Sequence, residues 1–170
     1  MITSACVHRY GDNVDTDTII PGRYLTLRRP EELAGHCMEG LDPDFVRRVK
    51  AGDIIVAGRN FGSGSSREHA PIAIRAAGIS CVVATSFARI FYRNAINIGL
   101  PVFECPELVV AVSSGDRVDV DLAAGAFQVG STRFETLPLP AVIQSIVDAQ
   151  GLVSYIAKEY KQRLAGEPKP

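Results

Sequence analysis

Between residues 53 and 98 the apolar pattern of this chain switches between two periods, and that switching constrains the fold more than any other feature. Residues 53–57 (DIIVA) form a continuous apolar run of strand length, the mark of a buried strand. Residues 67–77 then put Ile72, Ala73, Ala76 and Ala77 at helical core spacing, with Gly78 just past the end as a C-cap. Residues 80–84 (SCVVA) read as the next strand. Residues 87–98 read as a second helix, stopped by Gly99 and followed by Pro101. Strand, helix, strand, helix predicts an α/β fold with a parallel sheet at its centre, because parallel strands need a crossover and a helix supplies it.

The flanks are different. Residues 3–8 suit a short strand, and 11–29 are loop-like, punctuated by Gly11, Pro21, Gly22 and Pro30. Short helical stretches fit Pro30 to Leu33 and Pro43 to Val49. After residue 105 the chain turns β-rich: 108–112, 117–121, 126–129 and 132–136 read as short strands joined by turns such as SSGD and AAGA. They would form a second part of the sheet or a second sheet layer. Residues 139–164 read as helical with one break near Gly151, and the tail GEPKP as frayed.

Nothing interrupts this sequence as a linker, so residues 1–170 are expected to be one domain. A chain of this length buries roughly two-thirds of its unfolded surface and needs no metal or disulfide to fold. Lys plus Arg number 18 and Asp plus Glu 19, a net charge of −1. That balance speaks against a nucleic-acid or membrane partner, both of which call for a basic excess. The apolar runs are far below the roughly 20 residues of a membrane span. The start MITSACVHRYGDN lacks a basic segment followed by an apolar one, so a cytoplasmic location is expected. Cys6, Cys37, Cys81 and Cys105 show no C-x-x-C spacing, and His36–Cys37 alone does not converge on an ion. They read as free structural thiols, with no metal site in this chain.

The most informative segment is Gly62-Ser63-Gly64-Ser65-Ser66-Arg67-Glu68-His69, between an apolar strand and a helix. Glycines let backbone N–H groups converge, and a helix N-terminus adds partial positive charge, so the segment suits an anion. A dinucleotide loop fails because Arg67 stands at the third glycine position, and a phosphate loop fails for want of a lysine after a suitable glycine. A carboxylate-binding loop remains, with Arg67 as a bidentate clamp. So does a plain capped turn, since Ser65 and Glu68 match a capping box, although Pro71 argues for a later helix start. Far away in sequence, Asp15-Thr16-Asp17-Thr18 lacks the spacing and the closing glutamate of a calcium loop. It suits an Asx-turn or a carboxylate that positions an arginine or a substrate hydroxyl.

These two segments, with Ser86-Phe87-Ala88-Arg89-Ile90-Phe91 and Asn94-Ala95-Ile96-Asn97-Ile98-Gly99-Leu100-Pro101, carry a family resemblance. The sequence resembles the small-subunit family of 3-isopropylmalate dehydratase, related to the C-terminal swivelling domain of aconitase. The likeness runs over nearly the whole chain and is strongest at 11–25 and 57–104. It implies a three-layer β/β/α fold. It implies a separate large subunit carrying a [4Fe–4S] cluster, with no cofactor bound by this chain. It also implies a hydroxy-dicarboxylate substrate dehydrated and rehydrated at the neighbouring carbon, a step of leucine biosynthesis.

Carried over position by position, the resemblance makes Ser65 the base, with Arg67, Ser66, Gly64 and Asp17 binding or orienting substrate. Where aconitase has a histidine after that aspartate this chain has Thr18, so a proton-transfer role there is in doubt. Tyr24, Leu25, Thr26 and Leu27 are the expected specificity loop; an apolar Leu27 favours an alkyl substituent, worth about 1–3 kcal/mol. Homoaconitase, dimethylmalate or citramalate dehydratase subunits, and a non-catalytic anion-binding domain, are the alternatives. Arg89 and Arg93 are expected at a helix surface or partner interface, and His69 packed behind the loop.

Overall fold

The computed structural model of the chain describes residues 1–166, with side chains for all of these but 162 and 164–166. The expected frayed tail, beyond Gly166, lies outside the described residues. The parallel core forms as the pattern predicts. β1 (Ile2–Arg9), β2 (Ile54–Ala57), β3 (Cys81–Ala84) and β4 (Val102–Glu104) run parallel, with Val7 opposite Ile54 and Ile54 opposite Cys81. On the other side of β1, the strands β5 (Arg117–Asp121), β6 (Ala126–Val129) and β7 (Thr132–Glu135) are antiparallel. All seven join in one sheet, ordered β4-β3-β2-β1-β5-β6-β7. The β-rich part is therefore continuous with the parallel part through β1.

The sheet is curled, and one aromatic pair proves it. Phe103 on β4 and Phe127 on β6 stand five strand spacings apart, roughly 24 Å in a flat sheet. Their ring centroids are 5.5 Å apart, edge to face. The curl encloses Ile54 and Val56 with Val118, Val120 and Phe127. The alternate residues Ile55 and Ala57 face the helices with Val82 and Ala84, and Ile74 and Phe91 are buried against them. Antiparallel half, parallel half and helix layer make the β/β/α arrangement. The helix layer contains α2 (Pro30–Ala34), α3 (Phe45–Arg48), α4 (His69–Ala76), α5 (Arg89–Asn97), α7 (Ala141–Asp148) and α8 (Leu152–Gly166). The break between α7 and α8 falls at Gly151, whose φ is +123°.

Several expectations are corrected. Residues 108–112 are not a strand: Pro106–Ala111 is a helix, α6, which buries Leu108 and Val109 over the concave core and leaves Val110 80% exposed. A short apolar run reads alike for strand and buried helix; the deciding signal was Pro106 at the first helical position, where its missing N–H costs nothing. Strand β4 was not anticipated, because its three residues are bracketed by Pro101 and Pro106. Residues 11–29 are not all loop: α1 (Thr16–Ile19) and a 3₁₀ turn (Gly22–Tyr24) lie within them. The capping box does not form. Helix α4 starts at His69, and neither Glu68 nor Ser65 caps it with a side chain. Pro71 becomes the third helical residue, where an N–H has no intrahelical acceptor anyway.

Candidate active site

The Gly-Ser segment joins the C-terminal end of β2 to α4, the end of a parallel strand where α/β folds bind ligands. Two neighbours hold it. Toward α1, Gly62 N donates to Val14 O (2.7 Å) and Thr16 N to Ser63 O (2.9 Å), a short parallel bridge between Asp15 and Ser63. Toward α5, the backbone packs so closely that a Cβ at Gly62 would overlap the Phe91 ring; Gly62 also has φ +78°. The Phe91 ring in turn stands edge-on to Phe61 at 5.2 Å. Only glycine fits there. Gly64 has φ +91°, and a Cβ would approach Thr16 Oγ1 to 3.3 Å.

Beyond Gly64 the loop is open. Ser65 and Ser66 are exposed and Arg67 is half-buried. Arg67 N turns back to Ser65 O (2.8 Å), and the Ser65 and Ser66 carbonyls accept from Thr16 Oγ1 and Asn94 Nδ2, each at 3.4 Å. With its carbonyls held, the loop keeps donors in reserve. Among the described residues the amides of Gly64, Ser65 and Ser66 donate to no protein group.

Helix α1 brings the second half of the site. Asp15 caps it, accepting from Thr18 N (2.7 Å) and Thr18 Oγ1 (2.5 Å). The Thr18 hydroxyl is thus committed to the cap. Asp17, in the first turn, forms an ion pair with Arg67 across fifty residues of sequence. The Asp17 side chain is 61% exposed and that of Arg67 22%, so the pair sits at the surface with the guanidinium partly sunk. Gly22 lies against both, its virtual Cβ 3.7 Å from Arg67 Nη2 and from Asp17 Oδ1. The structure therefore brings together Asp17, Gly64, Ser65, Ser66 and Arg67.

The Tyr24–Leu27 segment starts beside this pair but is partly committed elsewhere. The Tyr24 ring stacks on His36 at 3.6 Å and its hydroxyl donates to Glu39 Oε1 (3.0 Å). Leu27 is half-buried against the helix-side core, Leu25 is half-buried, and Thr26 is exposed. Arg23 pairs with Glu39 and Arg29 with Glu32, leaving Arg28 as the arginine of this stretch without an ion pair among the described residues.

Other polar groups are built differently. Cys37 and Cys81 are fully buried, and burial pushes the Cys81 thiol up to about 12 and the Cys37 thiol higher still. Burial also raises the Cys105 thiol. Thiols held protonated in this way are poor metal ligands. Among the described residues the one cluster with metal-ligand chemistry is Cys6, His8 and Asp53. There Asp53 Oδ2 binds His8 Nε2 and Lys50 N (2.9 Å each), and Oδ1 binds Cys6 N (3.1 Å). A cavity of about 550 Å³ lies at the other end of α4, lined by Ile72, Arg75, Ile98 and Val153, and contains none of the loop or Asp17–Arg67 residues.

The chain is similar to known proteins along most of its length. Residues 29–107 match the family described as aconitase C-terminal domain. The 3-isopropylmalate dehydratase small subunit of Caldicellulosiruptor saccharolyticus is 56% identical over 164 residues, 95% of either chain. That of Halothermothrix orenii is 59% identical over 152 residues, 88% of this chain and 92% of the relative. The chain belongs to the 3-isopropylmalate dehydratase small-subunit family. The 2,3-dimethylmalate dehydratase small subunit of Eubacterium barkeri is nearly as similar, 57% identical over 158 residues, 92% of this chain and 97% of the relative. The crystal structure of 3-isopropylmalate dehydratase from Methanocaldococcus jannaschii superposes with a TM-score of 0.92, at 44% identity, over 98% of this chain and 100% of that one. No helix among the described residues is long and apolar enough to cross a membrane.

Within this small-subunit family fold, three residues contribute that sequence reasoning left without a role. Thr16 and Asn94 anchor successive carbonyls of the loop, and Gly22 makes room for the Asp17–Arg67 pair. Asn94 stood inside the N-x-x-N-x-G-L-P motif, which gave its presence but not its target.

Proposed function

We propose that this chain supplies half of a composite hydro-lyase site, with Ser65 as its base, and that the enzyme interconverts 2- and 3-isopropylmalate by removing water and returning it to the adjacent carbon. The observation that carries this reading is the open loop itself: an exposed serine pair, three uncommitted amides and an arginine braced by a carboxylate from a distant segment. A capped turn would have spent those donors.

The chemistry follows from these parts. Arg67 grips a substrate carboxylate through its fork of donors, with Asp17 holding the guanidinium in register. Ser65 Oγ takes the proton from the carbon beside that carboxylate and returns it in the reverse direction. Negative charge grows on the carboxylate as the proton leaves, and the Gly64–Ser66 amides with the Ser66 hydroxyl are placed to hold it. The same donors and the Arg67 charge stabilise the deprotonated oxygen that a serine needs to serve as a base. Water loss also requires a Lewis acid for the departing hydroxyl. The family resemblance implies that this group belongs to the large subunit. A [4Fe–4S] cluster bound there would supply that Lewis acidity. The exposed side of Ser65 and Ser66 leaves room for that subunit.

For the substrate, the apolar Leu27 of this segment favours an alkyl substituent over homoaconitate, although Arg28, unlike Arg23 and Arg29, keeps a guanidinium without an ion pair among the described residues. The identity to the E. barkeri subunit supports a second reading, 2,3-dimethylmalate, with the same site and a smaller alkyl group. The test is reconstitution with the cognate large subunit. The chain alone should be inactive and the complex should turn over 2-isopropylmalate; activity without partner or iron overturns the reading. In a panel with homoaconitate, dimethylmalate and citramalate, Leu27→Arg should lower the preference for isopropylmalate about tenfold or more, the scale of one buried alkyl contact. An unchanged preference removes the Tyr24–Leu27 segment from substrate selection.

A further inference from the structure

The catalytic loop is bordered on one side by α5, and the exposed face of that helix is unusual in its chemistry. Arg89, Ile90 and Arg93 are all exposed, Ile90 to 49%. Arg93 lies four residues from Arg89 and three from Ile90, so it neighbours both along one exposed stripe of the helix. Asn94, at the edge of that face, is the residue that binds the Ser66 carbonyl, so the face continues directly into the loop. Neither guanidinium has an ion pair among the described residues. Glu104, at the same end of the sheet, accepts from Phe87 N at 3.3 Å and pairs with neither.

The placement of Arg89 is also unfavourable for the chain by itself. Arg89 is the first residue of α5 and Arg93 the fifth, the first turn holds no acid, and Ala88 provides no side-chain cap. Cations at a helix N-terminus oppose the macrodipole. Of the exposed arginines elsewhere, Arg23, Arg29, Arg47, Arg48 and Arg59 are ion-paired and Arg9 and Arg117 donate to backbone carbonyls, while Arg28, like Arg89 and Arg93, has no ion pair among the described residues. Two unpaired arginines flanking an exposed isoleucine, beside an incomplete site, have the makings of a protein contact: an apolar anchor with a charged rim.

We propose that Arg89, Ile90 and Arg93 form the strip on which the large subunit docks, meeting an acidic patch on that subunit around an apolar contact for Ile90. The inference rests on the composite-site reading of the loop. It adds which surface closes the site and what chemistry the partner presents to it. Docking there places the partner against Asn94 and Ser66, so that the surface selecting the partner also borders the catalytic loop.

The experiment measures association, not turnover, by titrating the full chain against the cognate large subunit kept anaerobic with its cluster. Arg89→Glu/Arg93→Glu should bind at least about tenfold more weakly at low salt, through a slower on-rate, and the deficit should shrink as salt screens the charges. Arg89→Lys/Arg93→Lys, which keeps the charge, should stay within about threefold of wild type, since a rim contact needs charge more than fork geometry. Ile90→Ala should weaken binding with no salt dependence of its own. Arg133→Glu, on β7 at the far edge of the sheet, should bind as wild type does. Equal affinity of a folded Arg89→Glu/Arg93→Glu chain overturns the proposal. If that chain does not fold, wild-type affinity that is indifferent to salt overturns it instead. A wild-type chain that fails to bind the large subunit overturns the composite-site reading and this inference with it, whereas binding without an effect of the strip overturns the strip alone.

Discussion

Two carboxylate contacts in this molecule, Asp53 with His8 and Asp17 with Arg67, are built in opposite ways. Asp53 and His8 are sealed, with side chains 6% and 7% exposed, and every oxygen of Asp53 is spoken for by His8, Lys50 N or Cys6 N. The His8 ring also packs edge-on against Phe45 at 5.0 Å. Asp17 and Arg67 lie open beside amides with nothing to bind. A buried polar group must be saturated, because an orphaned donor or acceptor away from water is costly. A binding site must do the reverse and hold donors in reserve for a ligand. Saturation marks Asp53 as part of the scaffold, and spare donors are what the proposed working surface at Asp17–Arg67 has instead.

The largest expected effect falls on the open side. Ser65→Ala should lower turnover of the assembled enzyme about 10³-fold, within the range for loss of a positioned base. The thermal midpoint should not move, since the side chain is exposed and Thr16 binds the backbone carbonyl of Ser65 and not its hydroxyl. Turnover within threefold of wild type would remove Ser65 from the chemistry and the contrast with it.

Next comes the sealed side. Asp53→Ala strands the Lys50 and Cys6 amides and the His8 ring, and should cost about 2–4 kcal/mol. In a chain of this size that is a drop of roughly 5–15 °C in melting temperature, with turnover at low temperature nearly unchanged. The pH dependence has a defined sign. Burial alone would raise the Asp53 carboxyl, but the bonds from His8, Lys50 N and Cys6 N outweigh it and hold the carboxyl below its ordinary value. A carboxyl lowered on folding stabilises the native state above its unfolded value of about 3.9, and the contribution is lost as pH falls through the lower folded value. Acid denaturation of Asp53→Asn should therefore follow a flatter pH profile through that range than wild type. Parallel acid limbs would show that the node is not what holds β1 and β2 together at low pH.

The same contrast explains what could be read from the residues alone. Buried strands and their crossover helices show in short windows, because burial on both faces leaves an apolar run and helical burial leaves a period. Hence β2, α4, β3 and α5 were legible, with ends shifted by one or two residues. Segments too short to establish a period were not: β4 has three residues, and α6 is an apolar stretch whose helical start is signalled by Pro106 alone. The sheet's curl depends on Phe103 meeting Phe127, a contact no local pattern encodes. At the site, Gly62, Gly64, Ser65 and Arg67 stood out as a loop because glycine and serine before a helix carry a local meaning. The Asp17–Arg67 pair and the anchoring of Ser66 by Asn94 arise only when three crossovers stack the β2–α4 loop between α1 and α5. The capping box failed for a related reason. Pro71 shifts the helix start to His69, which puts Ser65 outside the first turn and leaves its hydroxyl exposed.

The smallest effect tests the open pair by itself. Asp17→Asn keeps the size of the side chain and removes its charge, so Arg67 loses its brace but not its place in the loop. An exposed ion pair adds little to folding, about 0–1 kcal/mol, and here should stay below about 0.5. The melting temperature should accordingly shift by no more than a degree or two. The catalytic consequence should be larger than the structural one, because a guanidinium free to rotate presents its fork to the substrate carboxylate for only part of the time. We expect kcat/KM of the assembled enzyme to fall about tenfold, mostly in KM, with partial recovery in Asp17→Glu. A fall confined to kcat would move Asp17 from bracing Arg67 to direct contact with the reacting group. A loss of stability comparable to that of Asp53→Ala would mean that the exposed pair, too, belongs to the scaffold.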